Sequence, residues 1–161
     1  MAISDVYTFR SGSVALASTS ATPLLSVVAG TTIRGWVVGV RVEVGTTLAA
    51  AGNNLLFQLC RPANTMTGTT TTTGNPEDFS APAAICTGYT AWSTAPTVGA
   101  ILAEWQVPQT TGSMWPEYPP TGYEWQIPAI ANAAANAGLH VFVTASVATS
   151  TPVFVDMMVS E

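Results

Sequence analysis

The residues able to do chemistry are few, and their spacing serves no familiar reaction. His140 is the only histidine. A lone imidazole between Leu139 and Val141 supports neither a Ser-His-Asp order nor a metal site, which needs several ligands at set spacing. It reads as a strand histidine, satisfied or partly exposed. Glu77-Asp78 is the only adjacent acidic pair, and the repeated oxygen-ligand spacing of a calcium loop is missing, so the pair is expected to be solvated. Glu104, Glu117 and Glu124 stand near Trp105, Trp115, Tyr118 and Trp125, which are the ingredients of glycoside hydrolysis. Glu104 and Glu124, however, each precede a tryptophan on an alternating strand, which predicts them on solvent-facing sides. Cys60 and Cys86 match no zinc spacing and are expected as small apolar fillers, with a single bridge between them left open. The glycines are isolated, with none in a G-x-G or G-K-[ST] setting, so no phosphate loop is present. The reading is of a protein with no enzymatic activity, no cofactor and no metal.

Composition narrows the class further. The 161 residues are enough for a single domain, 1–161, with one sizeable core. Charged residues make up 8 % of the chain, against about 25 % in ordinary soluble domains. There are nine acidic residues and four basic ones, the latter all arginine, for a net charge of −5. Four scattered arginines and a pI near 4.5 argue against nucleic acid as a partner. The apolar share of 48 % is too high for a disordered chain. The most continuous apolar stretch, Gly35 to Val44, contains Arg41 and Glu43 and falls short of the roughly 18 residues of a membrane span. Met1-Ala2-Ile3-Ser4-Asp5 has neither the basic nor the apolar region of a secretory signal.

The elements that must position these residues are strands. A two-residue period is clearest in Trp36 to Val44, where Trp36, Val38, Val40, Val42 and Val44 are expected on one face and Val37, Gly39, Arg41 and Glu43 on the other. Further strands are predicted at Ile3–Phe9, Asn54–Arg61, Gly99–Val107, Tyr123–Ile127, Leu139–Val147 and Pro152–Val159. The last two are expected to form a hairpin through Thr149-Ser150-Thr151. Thirteen glycines and eleven prolines punctuate the gaps. Short strands at intervals of about ten residues predict an all-β, antiparallel β-sandwich, jelly-roll-like, with long surface loops. Ala129–Ala137, between Pro128 and Gly138, is a marginal helix or an extended loop. Thr65–Gly74 is low-complexity and is expected as a surface loop or an exposed edge strand.

The aromatic residues carry the functional reading. Trp115 and Tyr118 sit on the proline-stiffened stretch Gln109–Gly122, an unusual place for large apolar side chains. With Trp125 they fit either a protein–protein interface or a sugar-stacking platform. The surface favours assembly. Edge strands are normally guarded by lysine and other charges, and this chain has no lysine.

Four segments in order carry a resemblance: Arg61-Pro62-Ala63-Asn64-Thr65, then Ala91-Trp92-Ser93-Thr94-Ala95-Pro96-Thr97, then Tyr123-Glu124-Trp125-Gln126-Ile127-Pro128, and finally Gly138 through Glu161. In this order and texture the chain resembles a group of small bacteriophage virion proteins, jelly-roll-like chains that decorate or cement capsids. The resemblance implies a structural role on the capsid surface as a homo-oligomer, with other copies in a trimer and the major capsid protein or other virion proteins as its partners. It brings no catalytic residues. The N-terminal segment, about 1–30, is expected to be open to exchange with a neighbour. The expected interface then comprises Ile3, Val6, Tyr7 and Phe9 together with Trp115, Tyr118 and Trp125. The alternative is a carbohydrate- or receptor-binding sandwich that uses the loop aromatics.

Overall fold

Alternating apolar positions build the molecule from two sides. Val153, Val155, Met157 and Val159 all reach the core from one strand, and Leu55, Phe57 and Leu59 meet them from another. The computed structural model describes residues 5–16, 19–30, 33–45, 54–108, 114–120, 124–128, 138–145 and 152–161, with Met114 and Trp115 described in their backbone only. Among these residues the strands are β1 (Val6–Arg10), β2 (Val14–Ala15), β3 (Thr22–Val28), β4 (Gly35–Val44), β5 (Asn54–Pro62), β6 (Thr67–Thr72), β7 (Asn75–Pro76), β8 (Thr87–Thr94), β9 (Val98–Pro108), β10 (Met114–Glu117), β11 (Trp125–Ile127), β12 (Leu139–Ala145) and β13 (Pro152–Ser160). Sheet 1 runs β10-β4-β13-β1-β7, with β11 also on β4 and β2 on β13; sheet 2 runs β6-β8-β3-β12-β5-β9. Every pairing is antiparallel. The chain is an antiparallel β-sandwich, as its periodicity predicts.

Two expectations are corrected. Leu139–Ala145 and Pro152–Ser160 are not a hairpin. β12 pairs with β3 and β5 in sheet 2, whereas β13 pairs with β1, β4 and β2 in sheet 1. Both strands are apolar enough to be central, and each serves as the centre of its own sheet. Turn residues mark where a strand ends but do not say which sheet takes the next one. The single-face reading of Trp36–Val44 also fails. Met158 pairs with Gly39 but Val159 pairs with Val37, so Val38 is an extra residue, a β-bulge. The bulge shifts the alternation by one place. Val37 therefore joins Val40, Val42 and Val44 in the core, while Trp36 is left exposed on the other side.

The described part of the N-terminal segment lies inside the sandwich. β1 sits between β13 and β7, and β3 between β8 and β12, all within the same chain. Tyr7 and Phe9 are buried in the core, which corrects their expected place at an interface: alternation along β1 sends them inward and leaves Val6 and Thr8 half-buried. Thr67–Thr72 is an edge strand on β8, one of the two outcomes expected for the threonine run. Its Gly68 is required by contact, since a Cβ there would lie 2.0 Å from the Tyr89 ring. Ala129–Ala137 and Ile3 lie outside the described residues.

With Phe9 at the centre of this packing, Phe9→Ala is expected to destabilise the fold by about 3–5 kcal/mol in urea titration. Deleting residues 1–10, which removes β1 outright, is expected to abolish the cooperative thermal transition. A truncated chain that still melts cooperatively near the wild-type temperature would show that β1 is dispensable.

Candidate functional site

His140, Glu104 and the Glu77-Asp78 pair separate across the fold. On β12, Leu139, Val141 and Val143 face the core, so His140 and Phe142 alternate to the opposite face of sheet 2, yet both are buried. The ladder aligns His140 with Ser26 on β3 and with Cys60 on β5. Ser26 Oγ and His140 Nδ1 share a hydrogen bond of 2.6 Å, while His140 Nε2 is buried and has no hydrogen-bond partner among the described residues. Desolvation lowers the imidazole pKa to about 4 from 6.5, so the ring is neutral near pH 7. The pairing of Ser26 with this histidine across 114 residues was invisible in the sequence. Both side chains are completely buried, so the pair ties β3 to β12 and offers no approach to a substrate.

Cys60 and Cys86 are free, buried thiols, and burial raises the pKa of each. The glutamates do not gather. Glu104 is exposed on β9 of sheet 2 and accepts a 2.7 Å bond from Gln58 Nε2, with Trp105 stacked on Phe57. Glu117 belongs to β10 and Glu124 precedes β11, both in sheet 1. Among the described residues no three His, Cys, Asp or Glu side chains stand close enough to hold a metal ion.

Of the aromatics expected to act together, Tyr118 is exposed, whereas Trp125 is half-buried against the core and its backbone pairs with Val37. Trp115 pairs in its backbone with Val42. The strongest surface feature is one that the sequence reading passed over. Phe79 is fully exposed, at 102 % of its reference area, on the loop between β7 and β8. That loop is braced. Glu77 N–H donates to Val6 O (2.9 Å) and Glu77 Oε1 accepts from Thr8 Oγ1 (2.9 Å). Asp78 Oδ1 accepts from both the backbone and the hydroxyl of Ser80 (2.8 Å each), which lowers its pKa. Tyr7 Oη donates to Pro82 O (2.9 Å). The acidic pair therefore forms the frame of a turn. Only its sequence signal, Asp two residues before Ser, pointed that way.

Comparison with known proteins found no match: no family model, no curated protein and no solved structure.

The buried histidine sets a pH dependence. Because its folded pKa lies below the unfolded value, the unfolded chain takes up the proton first. The stabilisation from the neutral ring is whole above pH 6.5, declines as pH falls from 6.5 to 4, and is absent below that. The loss amounts to about 3 kcal/mol. Urea unfolding at pH 7 and pH 4 should show a larger drop for the wild type than for His140→Gln, and parallel drops would contradict this assignment.

Proposed function

We propose that this chain is a structural, non-enzymatic protein of a bacteriophage virion that binds the capsid lattice as an oligomer, a trimer in the simplest case, and reinforces it. The observation that carries the reading is Phe79. A phenylalanine held fully in water on a loop tied down at both ends forgoes about 1.5–3 kcal/mol of burial, and hydrogen bonds keep it from folding back. Such a side chain suits an anchor that is buried only when a partner covers it.

Three further features support this reading. Thirteen charged side chains spread over 7924 Å² of surface leave little repulsion between closely packed copies. β9 is eleven residues long and, among the described residues, pairs on one side only, with exposed Ile101 and Leu102 and no lysine. That edge is suited to cover by a neighbour. The resemblance to virion proteins points the same way. Several weak anchors in one oligomer would bind a repeating lattice far more tightly than one alone, through effective concentration.

Light scattering across a concentration series should give a mass that is a multiple of the chain mass, and co-sedimentation with the cognate capsid should show binding. Phe79→Ser is expected to weaken capsid association about tenfold to a hundredfold without changing the melting temperature. A wild-type chain that stays monomeric at millimolar concentration, or a Phe79→Ser variant that binds capsids as tightly as the wild type, would overturn the proposal.

A further inference from the structure

Of the sheet edges among the described residues, one is long, largely regular and open. Sheet 1 ends in short strands: β10 (four residues) and β11 (three) on β4, and β7 (two) on β1. At one end of sheet 2, β6 pairs with β8 through three register shifts in six residues, and such irregularities protect an edge from accepting another strand. At the other end lies β9, eleven residues long and paired, among the described residues, only with β5. Its first half is bulged against β5, but Ala103 to Pro108 run opposite Leu59 to Asn54 without a shift. Every second residue of that run turns its backbone polar groups away from β5, so the edge offers a row of unused donors and acceptors.

A second copy of the same edge fits this one. Across a two-fold axis an antiparallel strand meets its own pattern of N–H and C=O groups, which is complementary to itself. Glu104 is the only charged residue of β9, and it selects the register. An axis at Glu104 would set two carboxylates directly opposite, which is unfavourable. An axis nearer Val98 would draw the bulged half into the pairing, and one nearer Pro108 would shorten the overlap. An axis at Trp105 sets Glu104 opposite the partner's Gln106, Ala103 opposite the partner's Val107 and Leu102 opposite the partner's Pro108. Glu104 and Gln106 are both exposed. The Glu104 carboxylate already accepts a 2.7 Å bond from Gln58 Nε2, and its spare lone pairs can accept from the partner's Gln106 amide as well. By symmetry that contact forms twice. The exposed Leu102 is covered at the same time. With one charge on the strand, two copies meet there at little cost in repulsion.

We propose that two copies of the chain join edge to edge through β9, antiparallel about a two-fold axis at Trp105, and so merge their six-stranded sheets into one continuous sheet. The inference rests on the oligomeric reading above and names one of its contacts, while Phe79, on the loop between β7 and β8, stays available to the capsid. A two-fold contact gives even numbers of copies, and six where a three-fold contact is also present.

Sedimentation equilibrium of the full chain tests it, with variants at Gln106. Gln106→Glu sets a carboxylate opposite the partner's Glu104 on both sides of the axis and is expected to weaken pairing about twofold to thirtyfold. Gln106→Lys sets an ammonium there and should tighten pairing by a similar factor. Both differences should shrink in about 0.5 M salt. Thr69→Glu makes the same charge change on exposed β6 and should leave pairing as it is, which separates the contact from an effect of net charge. Circular dichroism checks that each variant folds. A species with an odd number of copies, a monomer throughout the concentration series, or Gln106→Glu and Gln106→Lys without opposite effects would overturn the proposal, as would a Thr69→Glu variant weakened as much as Gln106→Glu. A trimer that binds capsids removes this contact and keeps the capsid reading; a pair that fails to co-sediment with capsids does the reverse.

Discussion

The contact between the inward faces of two sheets, made largely of valine and leucine, is the constraint from which the other features follow. β4 and β13 contribute Val37, Val40, Val42, Val44, Val153, Val155 and Val159 from one side, and β5 and β12 contribute Leu55, Phe57, Leu59, Leu139, Val141 and Val143 from the other. Once those faces are committed, each remaining side chain on the same strands must point away from the core. A small adjustment in register then has large effects. The single extra residue at Val38 separates Trp36 from the face of Val40, Val42 and Val44 that its alternation predicts and leaves it on the solvent side.

A second consequence concerns the use of charge. Of the thirteen ionised groups, four meet in one place on sheet 1. Arg41, Asp156 and Arg10 form one row across β4, β13 and β1, and Glu43 closes it from the end. Asp156 is nearly buried between the two guanidinium groups, and Arg10 also lies 5.2 Å from the Phe154 ring centroid. The exposed Arg10–Glu43 pair contributes about 0–1 kcal/mol, and these four charges sum to zero, so the net charge of −5 lies with the nine charged residues elsewhere. A sparsely charged exterior carrying a braced, exposed phenylalanine and a long edge strand is compatible with close neighbours. Sheet 2 shows the complementary economy on its non-core face, where Ser26, His140, Cys60 and Phe142 are buried and the only polar bond among them is the one between Ser26 and His140.

Much of the fold was legible because alternation is a local property. The spans of β4, β5, β9, β12 and β13 match those predicted to within a few residues. β3 was missed. Its Leu24, Leu25, Ser26, Val27 and Val28 are all buried, so there is no alternation to detect, and Pro23 near its start reads as a break. The candidate sites were less visible. Phe79 sits in a loop of mixed acidic and small apolar residues, and that loop is held by hydrogen bonds to Val6 O and from Thr8 and Ser80, which come from distant or neighbouring chain segments.

The amino-acid order alone determined the all-β class, the sparse charge and the approximate span of most strands, because each depends on composition or on a period of two residues. The tertiary structure decided which sheet received each strand, which face Trp36 and Tyr7 occupied, and that His140 met Ser26. Those outcomes depend on pairing between segments far apart in the chain and on a one-residue bulge, and no local pattern encodes either.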